Sequence, residues 1–248
     1  MKTSLSDKIQ DFALSDALFI YEKLRAQMPA AIPKKDSVRS VRLTDILDNF
    51  DALFLDGYGV LNVGSCPVKP AYALLDTAKD KGIEIFLLTN GASKTSSANL
   101  EKYRNLGFNF EEDRLISSRD AMIDTLSCSR ESINKLGIVD SFVDDIQLLG
   151  GSVTRLEPHA LQQWMEVDEI GLLGSVNWDD DWQKGLELAL EAGKIVHVAN
   201  PDVASPQSDR FGKEPGYWAF AAAQKTGKLE ALKWYGNCLL YTSPSPRD

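Results

Sequence analysis

Histidine and cysteine are scarce in this 248-residue chain, with two of the first and three of the second. His159 and His197 stand alone, and Cys66, Cys128 and Cys238 lack metal-ligand spacing. Neither a histidine zinc site nor a disulfide framework is therefore expected. The cysteines read as small thiols of a reducing compartment, which makes the cytoplasm the expected location. Positive charge is also short: 27 Lys and Arg against 36 Asp and Glu give a formal charge of −9. A nucleic-acid partner would call for a basic stripe, so that class is set aside. No apolar run is long enough to span a bilayer, and no membrane partner is expected. Asp7, Asp11 and Asp16 stand where a signal peptide would be apolar. Internal repeats and low-complexity tracts are absent, and no feature sets the oligomeric state.

What is present is ordinary globular composition, 44% hydrophobic and 25% charged, in a chain long enough for one large or two small domains. Residues 5–27 have the spacing of an amphipathic helix, with Ile9, Ala13, Ala17, Ile20 and Leu24 near one face. A polar stretch with Pro29 and Pro33 leads to a short helix around Leu43–Leu47. Then strands and helices alternate: a strand at Asp51–Asp56, a helix at Pro70–Lys81, a strand at Ile83–Leu88 and a helix at Ser96–Leu106. A short strand at Leu115–Ser117 and a helix from Asp120 to Leu126 follow. From about Ile133 the alternation restarts, with strands at Leu136–Val139, Val153–Leu156, Ile170–Leu173 and Ile195–Ala199. Helices are expected near Phe142–Leu149 and across Trp182–Ala192. The pattern predicts an α/β fold with parallel sheets, whose ligands bind beyond the carboxyl ends of the strands.

The chemistry concentrates at two strand ends. In Leu53-Phe-Leu-Asp56-Gly-Tyr58-Gly59, a carboxylate tips a buried strand and a glycine turn follows. Such an Asp is poised as a nucleophile toward phosphorus, although a plain turn-capping Asp has the same local look. A dinucleotide-binding fingerprint over Gly57–Gly64 fails on spacing and on the missing helix. In Phe86-Leu-Leu-Thr89-Asn90-Gly91, a hydroxyl and free backbone N–H groups at a strand-to-helix turn suit phosphate oxygens, though an N-cap would read similarly. One helical crossover brings both turns to the same sheet edge.

Here the sequence resembles the haloacid dehalogenase-like (HAD) superfamily. The strand with Asp56 is similar to its first motif and Leu88-Thr89-Asn90-Gly91 to its second. Ile116-Ser-Ser118-Arg-Asp120-Ala121 and Ala199-Asn200-Pro201-Asp202 resemble the segments that flank the cap of the NagD-like, subfamily IIA branch. The resemblance runs from about residue 45 to residue 237. It implies a Rossmann-like core, incomplete at the C-terminus, with an inserted α/β cap. The implied limits are an N-terminal helical extension 1–40, core 41–131, cap 132–218, core 219–237 and a non-native tail 238–248. It further implies a phosphatase acting on a small phosphorylated metabolite through an aspartyl-phosphate. Asp56 would be the nucleophile, and its carboxylate with the Tyr58 carbonyl would help hold magnesium. Thr89, the Asn90 backbone and residue 237 would hold the phosphoryl group, while Asn200, Pro201 and Asp202 border the substrate.

Two departures qualify this resemblance. Many HAD phosphatases carry a general acid two residues after the nucleophile, where this chain has Tyr58. An unperturbed tyrosine, with a pKa near ~10, is poorly matched to proton transfer at neutral pH. The alternative is a slow enzyme or a non-catalytic phospho-ligand binder. After Gly236 the family continues with lysine, but here Asn237 precedes Cys238-Leu-Leu-Tyr-Thr-Ser-Pro-Ser-Pro-Arg-Asp248. Those residues resemble a translated sequencing adapter. Truncation of a parent with lysine in place of Asn237, and an inactive fragment, are therefore expected. The remaining candidates read as structural: the two histidines, the Trp178-Asp-Asp-Asp-Trp182 run as an acidic helix start, the N-terminal helix as core packing, and Lys213 as a surface residue.

Overall fold

The computed structural model describes residues 12–27, 42–128, 133–140, 146, 151–206 and 211–237. Residues 1–11, the helix expected at Phe142–Leu149 (except Ile146) and the tail 238–248 lie outside the described residues. Helix α1 spans Leu14–Leu24, and a 3₁₀ turn covers Leu43–Asn49. The first α/β unit follows as β1 (Ala52–Asp56), the small hairpin β2 (Asn62–Val63) and β3 (Cys66–Pro67), α2 (Lys69–Asp80), β4 (Glu84–Thr89), α3 (Ser96–Asn105), β5 (Leu115–Ser117) and α4 (Ser118–Cys128). The second contains β6 (Lys135–Val139), β7 (Ser152–Arg155), α5 (Leu161–Glu166), β8 (Glu169–Leu172), α6 (Asp180–Glu191) and β9 (Ile195–Val198). The hairpin β10 (Ala204–Pro206) and β11 (Phe211–Lys213), then α7 (Pro215–Thr226) and β12 (Leu232–Trp234), complete it.

Both large sheets are parallel. The first has the order β1-β4-β5 and the second β12-β9-β8-β6-β7. In β1, Leu53 and Leu55 point into a core with Leu47, Leu61, Leu87, Leu100, Tyr103 and Phe108, while Phe54 on the other face is exposed and stacks on Phe86. This is the two-residue alternation of a strand with one face covered. The β1–β4 register sets Asp56 beside Leu88, and Gly57 N–H donates to the Leu88 carbonyl at 2.9 Å. Asp56 and Thr89 thus end their strands at the same carboxyl edge.

The second core packs Trp164, Trp182, Leu186 and Leu190 from α5 and α6 against Ile170, Leu172, Val196 and Val198 of the sheet. Asp179 caps α6, accepting from the backbones of Asp181 and Trp182 at 3.0 Å each, so the acidic run does serve as a helix start. On the sheet's other face Met122 and Leu126 of α4 pack with Leu136 and Ile138, joining the two units. Helix α1 buries Ala17, Ile20 and Leu24 against Val203 and Phe220, which places it on the second unit. Gln27 adds a tie there, accepting from Trp234 Nε1 at 2.6 Å and donating to the Leu229 carbonyl at 2.9 Å.

One boundary differs from the sequence expectation, which ends the cap at 218 and returns 219–237 to the core. Leu232–Trp234 instead pairs in parallel with β9, in the register Leu232 to Val196, and α7 packs its alanine face on α6. The backbone groups along β9's outer edge need a partner, and β12 supplies it. The second unit therefore continues through Trp234. Helix α5 and both small hairpins have no counterpart in the sequence reading.

Candidate active site

The carboxyl edges of the first sheet and the loops of the second enclose a cleft of about 460 Å³. Asp56, Tyr58, Thr89, Asn90, Asn200 and Asp202, named from sequence, all line it. Pro201 is buried behind this lining, with its ring against Gly236. Asn237 reaches the cleft from the end of β12, and its Nδ2 donates to Asp56 Oδ1 at 3.2 Å.

Asp56 sits over its own turn, close to the backbone amides of Gly57 and Tyr58, which favour its anion. Burial pushes its pKa up, opposed by those amides and the Asn237 side chain. Position 57 admits only glycine, because a Cβ there would lie 1.9 Å from the Tyr103 hydroxyl. Thr89 is buried, and its Oγ1 accepts from Gly91 N–H at 3.1 Å. The loop after Thr89 is fixed from outside. Asn99 Nδ2 donates to the Gly91 carbonyl at 2.9 Å, and the fully buried Arg119 donates to the Ala92 carbonyl at 3.2 Å. Within the turn Ala92 N–H donates to the Asn90 carbonyl at 2.7 Å, so the loop is tied on both sides and holds the Thr89 hydroxyl at the cleft.

A chain of side-chain hydrogen bonds crosses between the units. Asn90 Oδ1 accepts from Asn237 N–H at 2.9 Å, and Asn90 Nδ2 donates to Asp202 Oδ1 at 2.9 Å. Asp202 N–H donates to Asn200 Oδ1 at 3.0 Å, Asn200 Nδ2 to Glu214 at 3.4 Å, and Ser205 Oγ to the other Glu214 oxygen. Burial pushes Asp202 up to about 6, opposed by the Asn90 bond and reinforced by the charges of Glu214 and Asp56. Glu214 is also raised, mainly by burial, with Ser205 opposing. Three carboxylates facing one cleft, each disfavoured as an anion, make it receptive to a cation.

Tyr58 turns away from this work. Its hydroxyl donates to the Pro206 carbonyl of β10 and accepts from Gly64 N–H at 3.1 Å, pinning the β10–β11 hairpin to the first unit. With both bonds made, that hydroxyl is committed to docking.

Sequence reasoning missed several lining residues. Glu214 and Ser205 belong to a region without periodic signal. Lys213, read as a surface residue, is half-buried and lines the cleft, with its ammonium 4.5 Å from the Tyr217 ring centre and 5.4 Å from that of Trp218. The hairpin folds β11 inward, and the rings cover the lysine stem. Lys102 of α3 also lines the cleft, its pKa lowered by burial and by Lys94. His197 is structural as expected: buried, with Nδ1 2.9 Å from the Tyr235 hydroxyl and Nε2 bonded to Glu169.

Asp56 supplies a carboxylate and Tyr58 a carbonyl that takes no part in the turn's backbone bonds. Among the described residues, no group of three or more His, Cys, Asp or Glu side chains is placed to hold a metal ion. Hard oxygen donors few in number suit magnesium, which commonly binds one or two protein oxygens and completes its shell with phosphate and water. No helix among the described residues is long and apolar enough to cross a membrane.

Residues 53–141, which include Asp56, Tyr58 and the Thr89 turn, match the family model described as haloacid dehalogenase-like hydrolase. Over those residues the chain is similar to the haloacid dehalogenase-like hydrolases. A Cytophaga hutchinsonii structure, described as a possible sugar phosphatase of the HAD superfamily, shares this fold at a TM-score of 0.70 and 18% identity, over 83% of this chain and 75% of that one. A Mycobacterium tuberculosis glycerol phosphate phosphatase, solved with magnesium, does so at 0.58 and 19%, over 73% of this chain and 54% of that one. A Caenorhabditis elegans protein provisionally named NipSnap is 27% identical over 100 residues, 40% of this chain. The chain spans 19% of that curated relative's length.

Proposed function

We propose that the chain carries the site of a magnesium-dependent phosphate monoester hydrolase of the NagD-like, subfamily IIA type, with Asp56 as nucleophile. One observation supports this above the others: Asp56 and the Thr89 turn share a strand edge, and Asn200 and Asp202 of the second unit face them across one cleft. The second unit acts as the cap. The substrate is a small phosphorylated metabolite, as the cleft's size and its polar lining suit. The scarcity of cysteine and the acidic composition fit a cytoplasmic setting.

In this reading the Asp56 carboxylate attacks phosphorus, the ester oxygen leaves with the bond's electron pair, and an aspartyl-phosphate forms. Water then attacks that phosphorus and releases inorganic phosphate and the carboxylate. Burial disfavours the Asp56 anion, opposed by the Gly57 and Tyr58 amides and by the Asn237 side chain. Thr89 and the Asn90 backbone receive the transferring phosphoryl oxygens. Magnesium, held by Asp56 and the Tyr58 carbonyl, would neutralise phosphate charge.

A second reading, a phospho-ligand binder with little turnover, is favoured by the docked Tyr58 hydroxyl and the neutral Asn237. Losing general acid help typically costs about 10²–10⁴-fold. A panel of small phosphate monoesters with magnesium separates the two. Phosphate release that disappears in Asp56→Asn supports the hydrolase, whereas saturable binding with no release supports the binder.

A further inference from the structure

The Tyr103 side chain of α3 is completely buried, packed edge-to-face on Phe110 in the first core. Phenylalanine would fill the same space. The hydroxyl instead ends against the backbone of Gly57, beside Thr89 and within reach of the Asp56 charge, and makes no well-formed hydrogen bond. Buried hydroxyls without partners are rare because they forfeit the bonds they made to water. This one lies directly beneath the two residues that the proposed chemistry uses.

We infer that Tyr103 is a positioning residue, whose hydroxyl donates to Thr89 Oγ1 from below and leaves the threonine's own proton free for a phosphoryl oxygen in the cleft. A hydroxyl oxygen accepts two bonds and donates one. Thr89 Oγ1 already accepts from Gly91 N–H at 3.1 Å. A second donor from beneath fills its remaining lone pair, so its proton has only the cleft side to point toward. Burial and the nearby Asp56 charge both keep Tyr103 protonated, so it stays a donor. The Gly57 backbone lies against the same hydroxyl and holds it at the end of β1. The bond closes when a phosphoryl oxygen takes the Thr89 proton and turns the lone pair inward.

This inference rests on Thr89 as a phosphate group holder, and its test separates the two claims. Affinity for inorganic phosphate, with magnesium present, is measured by calorimetry on the 248-residue chain and on Thr89→Val, Tyr103→Phe and the double variant, with melting temperatures alongside. Thr89→Val and Tyr103→Phe should each bind about three- to tenfold more weakly. Tyr103→Phe should add nothing in the Thr89→Val background, and its melting temperature should equal or exceed the parent's. Undiminished affinity in Tyr103→Phe, or the same fold loss in both backgrounds, overturns the inference. A melting temperature lowered together with affinity assigns the hydroxyl to the fold and overturns it too. Undiminished affinity in Thr89→Val overturns the phosphate reading of Thr89 itself.

Discussion

Asn90 Nδ2 donates to Asp202 Oδ1 at 2.9 Å, joining the turn after β4 in the first unit to the loop after β9 in the second. The same Asn90 accepts from Asn237 N–H, so one amide fixes both returns of the chain to the cleft. Satisfied networks of this kind hold a site rigid, and removing one member is felt at the others.

Asp202 carries a pH signature. Its pKa in the fold, about 6, stands above the ordinary 3.8, mainly through burial. The stability this group contributes is complete below about pH 4 and is lost as pH rises through about 6. Asp202→Asn removes that penalty while its amide oxygen still accepts from Asn90. The variant should be more stable than the parent at about pH 7.5, by about 1–3 kcal/mol, and equal to it near pH ~4. Thermal melts across this range check the prediction, and a benefit of the same size at both ends would exclude ionisation as its cause.

Asn237 offers Asp56 an amide at 3.2 Å where a positive charge would serve a phosphate better. Asn237→Lys should tighten inorganic phosphate binding and raise turnover by about 10–100-fold, the range expected for one charged donor at a developing anion. It should also lower the Asp56 pKa, which a side-chain carboxyl NMR titration reads. No change in either quantity would show that residue 237 does not face the phosphoryl site.

Tyr58 holds the β10–β11 hairpin through the Pro206 carbonyl. Tyr58→Phe should speed amide exchange at Ser205 and Phe211–Lys213, and raise KM about three- to tenfold with kcat changed less than about twofold. Hydrogen-exchange mass spectrometry and steady-state kinetics check this together. A fall in kcat at constant KM would make Tyr58 a proton carrier instead.

The parallel sheet of the first unit was legible because β1, β4 and β5 are short apolar runs closed by glycine or polar turns, and each of the three was found within a residue or two. The parallel β1–β4 pairing follows from one helical crossover, so Asp56 and Thr89 were brought together by sequence logic alone. Long-range partners carried no such signal. Nothing local says that Leu232–Trp234 seeks the edge of β9, since an apolar run fits either sheet. Helix α5 is only six residues long and shows too few turns for a period. Lys213, Glu214 and Ser205 enter the cleft by a hairpin whose strands are three residues each, too short to alternate visibly. Tyr103 looked like any core aromatic on a helix. Only the placement of its hydroxyl against Gly57 distinguishes it.

The central claim is that Asp56 accepts the phosphoryl group, and trapping that group tests it most directly. The Asn237→Lys chain is mixed with a labelled phosphate monoester and magnesium, quenched in acid within milliseconds, and digested for peptide mass spectrometry, beside the same chain carrying Asp56→Asn. The account predicts phosphate on the peptide carrying Asp56, with both label and turnover lost in the variant, whose fold the conservative change should preserve. Turnover retained by Asp56→Asn, or label on any other residue, would contradict it.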